Sequence, residues 1–160
     1  MNPAALIAQL GLAPLPHEGG FFRQTWRATE TLANGRSAAG AIYFLLTPTD
    51  FSALHRLRIV ELWHFYAGDP LEHLQLGPAA GASAVTTLGP DLANGQVPQL
   101  IVPAGAWQGA RPPGGGAHGW TLVGTTTSPA WTEADFELGE RAALSRDFPA
   151  HGALIAALTR

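Results

Sequence analysis

The chain has 160 residues, of which 46% are hydrophobic and 13% are charged, with a formal net charge of −3 and no cysteine. This composition predicts one globular domain, residues 1–160, and excludes a disulfide scaffold, thiol catalysis and cysteine-ligated metal. All nine basic residues are arginines that do not cluster, so we expect no nucleic-acid partner. No signal-peptide pattern and no apolar run of roughly 18 residues is present, so we expect a cytoplasmic protein with no membrane partner.

The first residues predict a short helix that ends before residue 11. Asn2 can cap this helix, Pro3 suits its first turn and Gly11 can end it. Residues 12–20 are rich in proline and glycine, and we expect them to be extended and to turn.

Eight later segments have the composition of strands and are separated by glycine- and proline-containing turns. They are residues 21–26, 40–46, 51–57, 60–66, 71–76, 83–88, 99–102 and 120–127. Residues 111–116 are predicted to form a loop. Residues 136–145 and 150–158 have helical spacing. Many short strands with turn signals favour an antiparallel sandwich or barrel, mainly β, with short helices at its ends.

Residues 55–68 are the most informative stretch, because they place two histidines and a carboxylate among aromatic side chains. Ionisable groups are costly in a core unless they are paired, hydrogen-bonded or bound to a ligand. The stretch therefore forms either a satisfied core network or the floor of a pocket. Strand alternation places Glu61 and Trp63 on one face and His64 on the other, unless a bulge reverses the order.

The order of these blocks resembles the cupin superfamily, and more closely its uncharacterised fifth subfamily, a domain of unknown function. The resemblance covers nearly the whole chain and rests on five main blocks: residues 16–23, 41–46, 55–72, 102–108 and 135–138. It implies a double-stranded β-helix, the jelly-roll barrel of the cupins, with short terminal α-helices. One fold hosts many chemistries, so the resemblance does not name a reaction.

Cupins commonly bind a divalent metal through two histidines and a glutamate of a first motif and a histidine of a second motif. In this sequence His55 and Glu61 match, but Leu57 stands at the second histidine and Gln108 at the third. An open transition-metal site usually needs about three good protein ligands. The sequence therefore favours no cofactor, although a divalent metal held by His55, Glu61, Gln108 and His64 stays an alternative.

Acid–base catalysis without metal is the leading interpretation. The metal-free sugar-nucleotide epimerases are similar in barrel and use a histidine base, although their own motifs are not found in this chain. We expect His55 to act as the base and Glu61 as its partner or second acid. Arg23 and Gln108 would anchor a small polar metabolite, and Phe44, Trp63 and His64 would complete the substrate-binding set.

The sequence leaves open whether the chain is an enzyme. The expected function is a small-molecule pocket in the barrel, used by a sugar-type isomerase or epimerase. A metal-dependent oxygenase or isomerase is one alternative, and a non-catalytic metabolite-binding or sensing module is another. We expect a homodimer, because cupin barrels commonly pair through sheet edges. His17, His73, His118 and His151 are expected at ordinary surface or edge positions.

Overall fold

The computed structural model describes residues 1–77 and 83–160. The strands of these residues form two antiparallel sheets, which confirms the predicted mainly β barrel. In chain order they are β1 (Ala13–Pro14), β2 (Phe21–Arg27), β3 (Gly40–Leu46), β4 (Ser52–Leu57), β5 (Val60–Gly68), β6 (Leu71–Leu76), β7 (Ser83–Leu88), β8 (Gln99–Val102), β9 (Trp107–Arg111), β10 (Thr121–Ser128) and β11 (Phe136–Leu138).

The strand order in the first sheet is β1-β2-β3-β10-β5-β8, and in the second it is β11-β4-β9-β6-β7. Their inner faces share one hydrophobic cluster, to which both sheets contribute. Phe44, Trp63 and Val123 come from the first sheet, and Leu71 and Ala110 come from the second. This shared core holds the sheets face to face and fixes which side chains lie inside the barrel.

Three short helices cover the outer faces of the sheets: α1 (Pro3–Leu10), α2 (Arg141–Asp147) and α3 (Gly152–Ala157). The predicted caps of α1 are present. The Asn2 side chain accepts a hydrogen bond of 2.9 Å from the amide of Ala5, and Gly11 ends the helix in the left-handed conformation. Among the described residues, no helix has the length and apolar character needed to cross a membrane.

Two elements differ from the sequence prediction. Strand β9 was not expected, because its alanine and glycine hide the strand pattern. A Cβ at Gly109 would lie 3.0 Å from the Leu54 side chain, so this strand packs closely against its neighbour. The helix predicted from residue 136 starts only at Arg141. Residues 136–138 pair instead with β4, where Phe136 lies opposite Leu57, so tertiary pairing overrides the helical spacing.

The prediction that His73 lies at a surface or edge is wrong, because its side chain is fully buried in the barrel. The ring lies edge-on against Trp63, with 5.0 Å between ring centroids. Neither ring nitrogen has a hydrogen-bond partner among the described residues. Burial lowers the pKa of His73 to about 3, with Gln108 acting in the opposite direction and His55 adding to the decrease. His73 is therefore a neutral core residue.

One partly buried ion pair holds the segment that precedes β11. Two nitrogens of Arg36 donate to the carboxylate of Asp135, at 3.2 and 2.6 Å, and a third bond of 2.8 Å reaches the carbonyl of Ala130. The amide and hydroxyl of Thr132 also donate to Asp135, each at 2.9 Å. Burial disfavours the Asp135 carboxylate, but these hydrogen bonds outweigh that effect and lower its pKa.

Replacing Asp135 tests this anchor. D135N should lower the free energy of unfolding by about 2–3 kcal/mol, because the substitution breaks a partly buried charge pair whose carboxylate accepts several hydrogen bonds. E137Q is the matched control, since the Arg56–Glu137 pair is 41% and 49% exposed. Its cost should stay below about 1 kcal/mol. Urea unfolding measures both values, and equal losses in the two variants would contradict the assignment.

His73 gives the stability of the fold a pH dependence. In the unfolded chain His73 takes up a proton near its ordinary pKa of 6.5, whereas in the folded chain its pKa is about 3. The free energy of unfolding therefore falls as the pH falls through this window. H73L removes this contribution. Between about pH 7 and about pH 5 the wild type should lose about 2 kcal/mol more than H73L in urea unfolding. Parallel losses in the two proteins would show that His73 is not buried in its neutral form.

Candidate functional site

A cavity of about 930 Å³ opens between the sheets at one end of the barrel. Its floor is formed by the buried residues His55, Leu57 and Glu61. Its wall carries side chains of the first sheet, and its rim carries the exposed residues Arg27 and Trp131. The volume is that of a site for a small metabolite.

Strand register brings His55 to the floor. His55 in β4 lies opposite Gln108 in β9, and the Phe136 ring stacks on the imidazole with 5.2 Å between centroids. The Nδ1 atom of His55 lies 2.8 Å from the carbonyl of Ala53. A carbonyl only accepts, so Nδ1 carries the hydrogen and Nε2 of the neutral ring is the acceptor. The imidazole is therefore held with a basic nitrogen beside the other polar groups of the floor.

Gln108 has only one amide orientation that satisfies its neighbours. The indole nitrogen of Trp63 is a donor with no acceptor function, and it lies 2.9 Å from Oε1 of Gln108. The amide nitrogen therefore faces the other way. It donates to Oε2 of Glu61 at 2.6 Å and lies 3.3 Å from Nε2 of His55. All of these side chains are buried, so the network is fixed by packing as well as by hydrogen bonds.

Glu61 is the second ionisable group that reaches the cavity. It is 7% exposed and lies in β5 opposite Thr127 of β10, which also lines the cavity. Burial raises the pKa of Glu61, and His55 partly opposes this by favouring the charged carboxylate. The nearby Glu18 adds to the increase through repulsion between like charges. The floor thus combines a histidine acceptor with a carboxyl group that is biased towards its protonated form.

Glu18 is a floor residue that the sequence analysis did not single out. Its Oε1 accepts a hydrogen bond of 2.6 Å from the hydroxyl of Ser52, and its Oε2 lies 3.8 Å from Nε2 of His55. The amide of Ala53 also donates to the Glu18 carbonyl at 2.9 Å. Glu18 belongs to a turn rather than a strand, so no alternation pattern placed it. The available signal was its position between proline and two glycines, where a tight turn forms.

The structure does not bring His64 into the cavity. Its ring lies on the opposite face of β5 from Glu61, as uninterrupted alternation requires. Its Nδ1 accepts from Gln99 at 3.1 Å, and its Nε2 lies 3.2 Å from the hydroxyl of Thr126. These bonds satisfy the imidazole outside the barrel, so both the substrate-binding and the metal-binding roles considered for His64 lack a geometric basis.

Two other predicted binding residues also lie away from the floor. Phe44 is 1% exposed and packs against Trp63 in the core, so it supports the site rather than lining the cavity. Arg23 borders the cavity beside Gly11, but its guanidinium lies over the ring of Tyr43, 5.5 Å from the centroid. Trp63 acts on the floor through Gln108. His55, Glu61 and Gln108 are therefore the predicted residues that the fold brings together.

The donor set does not fit the divalent metal that cupins commonly bind. An imidazole nitrogen and the Glu61 carboxylate are suitable ligands, but Gln108 presents its NH₂ group to both of them and Leu57 offers no donor. The Gln108 oxygen is already committed to Trp63. Within residues 1–77 and 83–160, no three histidine or carboxylate side chains converge as a metal site.

Two solved structures are similar to this chain over almost their full lengths. A protein from Shewanella oneidensis shares 36% identity, with 100% of this chain and 98% of that chain covered and a TM-score of 0.90. A hypothetical protein from Leishmania major shares 31% identity, with 99% of each chain covered and a TM-score of 0.89.

More distant structures share the fold alone. Oxalate decarboxylase from Bacillus subtilis matches 92% of this chain and 37% of its own length at 11% identity, with a TM-score of 0.56. No curated protein matches the chain. The family described as Cupin superfamily (DUF985) matches residues 4–139, and with the two close structures it shows that this protein belongs to that uncharacterised cupin family.

Proposed function

We propose that this protein is an isomerase or epimerase that moves a proton next to a carbonyl group of a small polar metabolite, with no metal. The observation that carries the proposal is that His55 Nε2 and the Glu61 carboxyl group, at 3.3 and 2.6 Å, both face the amide nitrogen of Gln108 on the floor of a cavity of about 930 Å³. The sugar-type substrate expected from the sequence fits this chemistry, because sugars carry a carbonyl beside a hydroxylated carbon.

His55 supplies the base. The hydrogen bond from Nδ1 to the Ala53 carbonyl fixes the tautomer, so Nε2 has the lone pair that takes a proton from carbon. The same carbonyl stabilises the imidazolium that results, because it still accepts from Nδ1. Stacking by Phe136 restricts the His55 ring to the orientation in which Nε2 faces the other polar groups of the cavity floor.

Glu61 supplies the acid. As His55 removes the proton from the hydroxylated carbon, the electron pair moves to the neighbouring carbonyl oxygen, which takes a proton from Glu61 and leaves an enediol. Glu61 then takes the proton of the other hydroxyl group, and His55 returns its proton to the former carbonyl carbon. The raised pKa of Glu61 favours the protonated starting form. Every proton is conserved, and both residues end as they began.

Exchange of carbon-bound hydrogen with solvent tests this role directly. In D₂O the wild type should incorporate deuterium next to the carbonyl of at least one member of a panel of aldoses, hydroxyketones and keto acids, with and without phosphate groups. H55N should lower that rate by at least about 100-fold, and E61Q should lower it as well, because each removes one half of the proton transfer. Proton NMR follows the loss of the substrate signal.

H64N is the matched control, since His64 lies on the outer face of the strand that carries Glu61. Its exchange rate should stay within about twofold of the wild type. Exchange that persists in H55N would overturn the proposed base. A wild type that exchanges no member of the panel but is stabilised by one of them would instead favour the non-catalytic binding module.

The metal-free claim has its own test. Protein purified without an affinity tag should hold less than about a tenth of an equivalent of transition metal, and manganese, iron, nickel or zinc should leave its Tm unchanged. The L57H/Q108H variant places histidines at both non-matching cupin positions, and the same metals should raise its Tm. A Tm increase in the wild type as large as in the variant would favour the metal-dependent alternative.

We also propose that the protein forms a homodimer. Strands β7 and β8 are edge strands of the two sheets, and each exposes a large apolar side chain, Val85 at 48% and Ile101 at 56%. Pairing through such an edge would satisfy its free backbone groups and cover these side chains. The cytoplasmic location likewise stays a prediction from the sequence.

A further inference from the structure

We infer that Arg27 forms an oxyanion site at the rim of the cavity, so that the substrate carries a phosphate, sulfate or carboxylate group at the end remote from the reacting carbon. That the bound molecule is a substrate rests on the proposed function. The site itself rests on the backbone of β2, which places an arginine where strand alternation would not have put one.

A β-bulge turns Arg27 inward. Along β2, Gln24 pairs with Ile42 and Trp26 pairs with Ala41, so Thr25 is an extra residue without a register partner. Its hydroxyl donates to the Ala41 carbonyl at 3.1 Å, which holds the extra residue outside the barrel. Bulges re-aim the side chains that follow them and are common beside functional sites.

Because of this bulge, the two arginines of β2 lie on opposite faces of the strand. In an unbroken strand residues 23 and 27 lie on the same face. With the bulge, Arg27 instead shares the inner face with Gln24, while Arg23 lies on the outer face, over the Tyr43 ring at the edge of the cavity. Arg27 lines the cavity and pairs across the sheet with Gly40.

Arg27 is also one of three arginines, with Arg23 and Arg58, whose guanidinium groups have no ion pair or hydrogen bond among the described residues. Most arginines of this chain form an ion pair or a hydrogen bond with a carboxylate, carbonyl or hydroxyl group: Arg36, Arg56, Arg111, Arg141, Arg146 and Arg160. Within residues 1–77 and 83–160, Arg27 forms neither. A guanidinium presents donors that match an oxyanion in two-point contact.

The strand register also sets the distance between Arg27 and Glu61, the proposed acid on the cavity floor. Arg27 pairs with Gly40, Gly40 pairs with Thr127, and Thr127 pairs with Glu61, so the four residues form one row across four strands. Three interstrand steps place Arg27 about 14 Å from Glu61 between Cα atoms along the curved sheet. The side chains of Arg27 and Glu61 extend into that interval, and Thr127 lies between them, so a metabolite of a few carbons with a terminal anionic group spans it.

The acidic residues of the cavity narrow the class of ligand further. Glu18 and Glu61 lie on the floor, and Glu133 is exposed at the rim. A ligand with anionic groups at both ends would meet repulsion from the Glu18 carboxylate at the floor. The arrangement therefore selects a molecule with one charged end at Arg27 and an uncharged carbonyl and hydroxyl end at His55.

Titration with inorganic phosphate tests the site without any need for turnover. Nitrogen-15 NMR of the arginine side chains should show saturable changes at the Arg27 Nε resonance as phosphate is added at constant ionic strength. R27Q should weaken phosphate binding by at least about tenfold, because it removes the charged donor pair. R58Q is the control, because Arg58 is an exposed arginine that does not line the cavity, and it should change the affinity by less than about twofold.

The outcomes separate this inference from the proposed reaction. H55N should bind phosphate like the wild type although it fails to exchange substrate hydrogen. Phosphate binding through Arg27 in a protein that exchanges no panel compound would support the anion site and defeat only the proposed function. No saturable phosphate response in the wild type, or a loss in R58Q as large as in R27Q, would overturn the site at Arg27.

Discussion

The chemistry of this site depends on the hydrogen bond from the Trp63 indole to Gln108. An indole nitrogen only donates, so it fixes the Gln108 oxygen and turns the amide nitrogen towards Glu61 and His55. That orientation keeps the Gln108 oxygen from serving as a metal ligand. It also leaves His55 Nε2 and the Glu61 carboxyl group both facing the Gln108 amide nitrogen. Since Trp63 and Gln108 are both buried, the orientation is set when the core packs.

In the proposed function, the floor and the rim of the cavity act on different ends of the substrate. His55 and Glu61 on the floor are the groups proposed to exchange protons, and the Arg27 guanidinium at the rim is the group proposed to bind negative charge. Strand register joins the two, because Arg27, Gly40, Thr127 and Glu61 lie in one row of the first sheet. The proposal therefore assigns to one sheet the distance between recognition and reaction, which is the kind of positioning that proton transfer in an enzyme requires.

Much of the fold was predictable from the sequence, because it depends on periodic patterns. The strands of the core, the capped first helix and the opposite faces of Glu61 and His64 follow from alternation and capping. What the sequence hid depends on backbone irregularity and on pairing between distant residues. Alternation cannot reveal that Thr25 is a bulge that moves Arg27 inward, nor that a turn brings Glu18 to His55. His73 looked like an insertion in an apolar strand, and only the packed barrel shows that it is buried in the core.

The most direct test of the account is the protonation of His55 in the resting protein. Long-range proton–nitrogen NMR of histidine-labelled protein distinguishes Nδ1 from Nε2 in each ring. At mildly alkaline pH we predict a hydrogen on Nδ1 and none on Nε2, with both resonances unchanged by an equivalent of Zn²⁺. A hydrogen on Nε2, or a shift of the Nε2 resonance on addition of Zn²⁺, would contradict the metal-free base proposed for this cupin.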